Sequence, residues 1–423
     1  MGILRISELK PDMLLADDLR DRTGRLLMSK GTLLTPKYIR ICKIWGVIEA
    51  DIEDISREDT EATATRQFDA TTVAAAEETV RTRFVHGDMD HPAVRELFQI
   101  CTLRKAEAIA SGCENTRQDM APQAVTPDIL KSTPLHVNPA RFIKDNVKLA
   151  TLPDIFRQIT EAISKPNSSA HDIASVISMD TNLSARLLKV VNSAFYGYPS
   201  RIDTLTRAVH IVGTKQLSTL AIGVNMLNLF KKIPSRIINV KEFWKHSILC
   251  GINARIIAGY KNIQNTERLF VAGLLHDIGR LLLYNHVPLQ FLFTIMTARN
   301  RQELLYVVER ETLNCNHADI GGELLKKWKL PISLEDTVTH HHDPAKSQHR
   351  LESSIIHVAD IMANVMCAGS SGETLIPPLN HEAWTQIGLT PNFLSLTMEQ
   401  SDRQLEDILE SIFIDEKNEQ KNP

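Results

Sequence analysis

The segment FVAGLLHDIGR, residues 270–280, sets His276 beside Asp277 at the end of an apolar run with helical spacing. An imidazole and a carboxylate are costly to bury without partners. A divalent metal is one such partner, because histidine nitrogen and carboxylate oxygen are both good ligands. Further candidate donors recur on separate helical segments. His246 lies in KEFWKHSILCGINARII, and Glu242, four residues before it, shares its helix face. His317 sits at the start of a helix in HADIGGELLKKWKLP, His340, His341 and His342 precede Asp343-Pro344, and Asp360 lies in HVADIMAN. Inward-facing side chains from several helices can surround metal ions in a bundle core. Histidines with bridging carboxylates suit Fe, Mn or Zn, as one ion or a close pair. Such a centre polarises a phosphoryl oxygen and generates hydroxide at neutral pH, which is equipment for phosphoester hydrolysis.

Plain structural readings stand beside these. A triple histidine before Asp-Pro fits an exposed polar helix end. Glu242 is a ligand candidate or a helix-starting charge near a positive dipole end. Arg280, one turn beyond Asp277, fits a phosphate contact or a surface ion pair. His210, His286 and His357 read as surface or structural and stay outside the candidate set. His276-Asp277 with His246 and Asp360 is harder to dismiss, since residues on separate apolar helices would each need an unrelated explanation.

The elements that must position these residues are mostly helical. Residues 140–370 carry the 3.6-residue period almost throughout, as in DIASVISMDTNLSARLLKVVNSAF, where Ile173, Val176, Ile177, Leu183, Leu187, Leu188 and Val191 recur at helical spacing. Asp180-Thr181 marks a break and a cap, and Gly213-Thr214 a turn. Residues 1–55 read as a small mixed module: short strands with turn signals at Arg22-Thr23-Gly24 and Lys30-Gly31, a helix from Pro36 to Ile44, and a closing strand over 47–52. Residues 56–112 form a helical connector, 113–139 a Pro-rich linker, and 371–423 a loop followed by a helical tail with a frayed charged end. The expected fold is mainly α with a small α/β module at its front.

These residues and motifs resemble the HD superfamily of metal-dependent phosphohydrolases, whose H…HD…D pattern matches His246, His276-Asp277 and Asp360. Residues 140–370 resemble an HDOD domain, an all-helical bacterial signalling module related to the HD-GYP phosphodiesterases. The likeness rests on TLPDIFRQIT, VISMDTNLSARLLKVVNSAFYG, the stretch at 202–213, FWKHS, AGLLHDIGR and HADIGGELLKKWKLP. Matched by position, Glu242, His246, His276, Asp277, His317, His341, His342 and Asp360 parallel an HD-GYP polynuclear centre. The first 50 residues resemble the small module that often precedes HD-GYP domains, on DMLLADDLRDRTGRLLMSKGTLLT and WGV. One departure matters: HHHDP is followed by AKSQHRLESS, with no Gly-Tyr-Pro loop. HDOD domains are generally regarded as non-catalytic regulators.

Composition narrows the function classes. The 423 residues are 43% hydrophobic and 23% charged with net charge −3, so nothing drives general binding to nucleic acid or anionic membrane. Lys231-Lys232 and Lys326-Lys327-Lys329 read as solvated helix faces. No apolar run reaches about 18 residues, so no membrane span is expected. Six scattered cysteines without a C-x-x-C pair fit reduced thiols in a cytoplasm better than a disulfide framework or a Cys-based zinc site. Two functions follow. The first is a regulatory HDOD protein that binds signalling partners and retains a divalent metal site. The second is an active phosphohydrolase on cyclic-di-GMP or another nucleotide, with Asp277 as the catalytic residue that bridges two metals or orients the attacking hydroxide.

Overall fold

The computed structural model describes residues 2–5, 9–20, 26–36, 38, 39, 42, 49–53, 68–112, 135–146, 155, 158, 159, 161, 162, 169–193, 196–198, 201–229 and 238–412. The turn at Arg22-Thr23-Gly24, Lys231-Lys232, most of the Pro-rich 113–139 stretch, most of TLPDIFRQIT and the charged C-terminal end lie outside them. The chain divides into two compact units. One takes residues 1–81, 98–114 and 390–396, and the other takes 82–97, 115–389 and 397–423.

In the first unit, β1 (Gly2–Arg5) runs antiparallel to β4 (Glu49–Ile52), and the short β2 (Leu19–Arg20) pairs with β3 (Leu26–Met28). Of the closing strand expected over 47–52, residues 49–52 form β4, and 47 and 48 lie outside the described residues. Alternation puts Ala50 and Ile52 inward, where they join Leu9, Leu15, Leu19, Met28, Leu34 and Cys42. Pro36 begins the helical residues of this module, its fixed φ and missing N–H suiting a first turn. The connector supplies α1 (Ala70–Arg81) and α2 (Pro92–Ala110).

After the first residues of α2, the second unit contains α3 (Pro139–Asn146), α4 (Ala170–Ser178), α5 (Thr181–Asn192), α6 (Leu205–Val212) and α7 (Thr214–Leu229). Asp180 ends one helix and starts the next, its carboxylate accepting the Leu183 amide at 2.9 Å. Gly213, at φ +100, makes the turn between α6 and α7 that a residue with a side chain rarely adopts. Then come α8 (Val240–Tyr260), α9 (Thr266–Leu275), α10 (Ile278–His286), α11 (Pro288–Arg301), α12 (Leu305–Leu313), α13 (His317–Lys327), α14 (Ile332–Thr339), α15 (Arg350–Met366) and α16 (His381–Ile387). A last helix, α17, runs over Asn392–Ile412. Among the described residues, no helix is long and apolar enough to cross a membrane.

Helix α8 is buried along most of its length and packs against α9 and α15, while α13 packs against α10 and α14. Small residues set how closely these helices approach. A Cβ on Gly273 would fall 2.6 Å from the Gly251 Cα, so α8 and α9 meet backbone to backbone. A Cβ on Gly279 would fall 2.0 Å from the His317 carbonyl oxygen, so α10 and α13 also cross at backbone distance. These approaches bring His246, His276, Asp277 and His317 within reach of one another.

Candidate metal centre

His276 is the C-cap of α9 and Asp277 the N-cap of α10, so the His-Asp pair is the whole junction between two buried helices. The α9 carboxyl end favours a positive imidazole and the α10 amino end favours a carboxylate. His246 enters from α8, His317 from the first position of α13, and Asp360 from α15. His341 and His342 follow the end of α14. An Asn316–Asp319 capping box fixes the start of α13 and with it the backbone of His317.

The side chains converge. Asp360 Oδ1 lies 3.2 Å from His246 Nε2 and 3.4 Å from His276 Nε2. Asp277 Oδ2 lies 3.4 Å from His276 Nε2 and 3.8 Å from His246 Nε2, while its Oδ1 lies 2.8 Å from His317 Nε2. His317 Nε2 is in turn 3.4 Å from His341 Nε2 and 3.0 Å from His342 Nε2. Two donor groups result, His246/His276/Asp277 and His317/His341/His342, each with its atoms within 4.8 Å of one another. Asp277 reaches both with its two oxygens.

A divalent ion fits this arrangement on three observations. Donors sharing one ion at about 2.1 Å stand roughly 3–4 Å apart, which is the spacing observed. The outer nitrogens are committed elsewhere: His276 Nδ1 donates to the Gly273 carbonyl at 2.6 Å, and His341 Nδ1 to the Val338 carbonyl at 2.7 Å. His317 Nδ1 meets the Glu309 carboxylate at 2.6 Å. Those bonds place the ring protons outward and leave the Nε2 lone pairs facing one another, the pattern of metal-ligating histidines. Finally, both ring nitrogens of His246 and Nε2 of His276 are buried without a hydrogen-bond partner among the described residues, a costly state that a cation would relieve.

Electrostatics within the cluster are correspondingly skewed. Burial pushes against the charged form of His276, yet the adjoining Asp277, with Asp360, lifts it well above the usual imidazole range. Burial works to raise Asp277, but Arg280, His276 and His317 hold its carboxylate well below the usual range. Asp360, also opposed by burial, is held well down by His246 and His276. Burial and the neighbouring His276 and His317 push His341 down to about 3, and burial with His341 and His317 pushes His342 well down too.

Residues that sequence reading passed over hold this arrangement. Glu309 on α12 accepts both the His317 backbone N–H at 2.8 Å and its ring nitrogen. His357 donates from Nδ1 to the His341 carbonyl at 3.0 Å and accepts the Asn380 amide on Nε2, so it is structural and positions a ligand candidate. Asn364, one turn from Asp360, donates to its Oδ1 at 2.9 Å. Tyr306 stacks on His342 with ring centroids 4.0 Å apart. Only the spacing of Asn364 one turn after Asp360 was visible in advance; the others meet the site through tertiary packing.

Two expectations are corrected. Glu242 is not brought to the centre: its half-exposed carboxylate makes no hydrogen bond or ion pair among the described residues. It stands in the first turn of α8 beside the Asn239 cap, the setting of a helix-starting charge. Arg280 is not a surface ion pair. It is buried, paired with Asp277 at 3.0 Å and Glu309 at 3.4 Å, and donates to Ser371 Oγ at 2.6 Å. The triple histidine splits: His341 and His342 join the cluster, while His340 turns to Asp336, with its Nδ1 3.0 Å from the carboxylate.

The helical domain buries a His and Asp cluster at the junction of two helices. Residues 149–344 match the HDOD domain family. An uncharacterized protein of Treponema pallidum (strain Nichols) is 27% identical over 224 residues, 53% of this chain and 43% of that protein. The chain therefore spans less than half the length of this curated relative. The structure of an HDOD domain protein from Geobacter sulfurreducens superposes with a TM-score of 0.55 at 23% identity, over 65% of this chain and 97% of that one. A Shewanella amazonensis SB2B protein, named provisionally as a phosphohydrolase, gives 0.52 at 21% identity over 64% of this chain and 97% of that one. A Marinobacter aquaeolei VT8 protein, named provisionally for signal transduction, gives 0.51 at 20% over 70% of this chain and 65% of that one. At these identities the three structures share the fold alone.

Proposed function

We propose that this protein is a signalling regulator whose HDOD domain retains a divalent metal centre and acts through protein partners rather than turnover. His246, His276, Asp277 and Asp360 would hold one ion, and His317, His341 and His342 a second or an alternative position, with Asp277 serving both. When bound, such an ion supplies Lewis acidity and a lowered pKa for water. The observation that carries the regulatory reading is closure. His246, His276, His317 and His341 are fully buried, Asp277 is 2% exposed and Asp360 5%. A catalytic metal keeps a position open to substrate. Here the flank of Asp277 is filled by Arg280, whose guanidinium is already engaged by Asp277, Glu309 and Ser371. The missing Gly-Tyr-Pro loop after HHHDP supports the same reading, and the scattered cysteines support a cytoplasmic setting.

One observation favours the alternative, a phosphohydrolase on cyclic-di-GMP or another nucleotide. His342 is only half-buried, unlike the fully buried His317 and His341 beside it, and it stacks on Tyr306. The test pairs metal quantification on the purified protein with phosphodiesterase assays after Fe, Mn or Zn loading, and with a native pull-down. The regulatory reading expects at least one ion per chain, lost in His276→Ala and Asp277→Ala, a recovered partner and no turnover. Robust hydrolysis that disappears in Asp277→Ala would replace it with the alternative. Less than one equivalent of metal would remove both.

A further inference from the structure

The loop that follows α15, residues 367–376, closes one flank of the metal centre. A Cβ on Gly369 would run into the backbone of His246 and the Glu242 carbonyl, so the loop lies directly on α8. The Ser370 amide donates to the Glu242 carbonyl at 3.0 Å. Ser371 is buried, and its Oγ accepts from Arg280, whose guanidinium pairs with Asp277. Glu373, also buried, accepts the Leu305 amide at the start of α12. Two residues of the loop have positive φ, Cys367 at +58 and Gly372 at +109. For a cysteine that conformation is unfavourable and persists only where surrounding contacts hold it.

Arg83 supplies such contacts. One terminal nitrogen donates to the Asn364 carbonyl at 2.9 Å, in the last turn of α15, and the other to Cys367 Sγ. Its Nε donates to the Thr374 carbonyl at 3.3 Å, and its own carbonyl accepts the Ile376 amide at 2.8 Å. One residue thus spans both ends of the loop, and its cation suits the carboxyl end of α15. Asn364 in turn donates to Asp360, a ligand candidate. In sequence Arg83 comes two residues after α1, just past the step from the first unit into the second. Its neighbours fasten the same segment to the helical domain: His86 Nε2 lies 3.1 Å from the Gln302 carbonyl, and Asp88 Oδ2 3.2 Å from His381 Nε2. We propose that Arg83 is a latch. It holds residues 367–376 shut over the Arg280–Asp277 flank, and its release lets that loop lift and opens the centre. The proposal rests on the closed centre described above and adds what holds it closed. It makes the segment after α1 the control on access to the cluster.

The test uses the whole protein after chelation, so neither readout needs an ion. Amide hydrogen exchange reads the loop, and carbethoxylation of His246, located by mass spectrometry, reads access to the cluster. Arg83→Ala is expected to speed exchange over 368–376 at least about tenfold and His246 modification at least about fivefold, with α9 and α13 amides within about twofold. Arg141→Ala, which breaks only an exposed pair with Asp145, is expected to change neither. Arg83→Lys keeps the charge but not the fork, so it is expected to speed loop exchange about threefold, and it decides the matter if Arg83→Ala does not fold. Unchanged loop exchange would overturn the latch. Faster exchange spread evenly over the helical domain would overturn it too, because Arg83 would then serve stability alone. A looser loop with His246 still protected would overturn the opening of the centre. Failure of the metal-centre reading shows instead in metal quantification, and leaves both readouts to decide the latch.

Discussion

Glu309 determines which nitrogen His317 can offer. With its carboxylate 2.6 Å from Nδ1, the ring proton is drawn outward and Nε2 is left toward Asp277, His341 and His342. The same carboxylate holds the His317 backbone and pairs with Arg280. Glu309→Gln keeps the size of the side chain but removes its charge. Metal affinity is expected to fall about 10–100-fold, measured by competition with a chromophoric chelator. A chelator titration unchanged from the parent would show that Glu309 does not orient a ligand. The sequence disclosed His246, His276, Asp277, His317, His341, His342 and Asp360 because histidines and aspartates on apolar helical stretches are anomalous by type. Glu309 and His357 are ordinary by type in their own helices, and only tertiary packing gives them a role. Glu242 erred in the opposite sense. Its four-residue spacing from His246 fixed the face, but not how far that face runs into the core before it meets solvent.

At the scale of elements, the centre depends on how closely α10 crosses α13 and α8 crosses α9. The helices themselves were readable from period and caps, as the Asp180 break between α4 and α5 shows. Their crossing distances were not, because a glycine in HDIG looks like any helical glycine until a second backbone is placed beside it. A methyl at 279 would fall 2.0 Å from the His317 carbonyl, with no flexible side chain to yield. Gly279→Ala is therefore expected to lower unfolding free energy by about 1–3 kcal/mol or more and to weaken metal binding, since the helix that must shift carries His317. Asp180→Ala offers the contrast. It removes a cap worth about 1 kcal/mol at a place remote from the ligands, so urea unfolding should report a loss with metal content unchanged. Equal metal loss in the two variants would mean that general destabilisation, not helix crossing, governs the site.

For the molecule as a whole, the cluster ties stability to metal and to pH, and the signs can be worked out. In chelated protein, His246, His341 and His342 have folded-state pKa values below their unfolded value. The unfolded chain binds more protons there, so stability falls as pH drops below about 6.5. Asp277 and Asp360, held well down, add a further loss as pH falls below about 4. His276 and His317 are raised, so their contribution is complete below about 6.5 and is lost as pH climbs through their folded values. Chelated protein should therefore be most stable near neutrality. A bound ion changes the alkaline side, because it needs these imidazoles deprotonated and takes over from the lost proton-mediated pairs. At 100 times its dissociation constant, an ion adds about 2.7 kcal/mol, and protons compete with it more strongly as pH falls. The melting-temperature gap between zinc-loaded and chelated protein is thus expected to widen steadily from about pH 5.5 to 8. A gap that stays constant across that range, in protein shown by elemental analysis to carry its ion, would mean that the ion is held outside the histidine cluster.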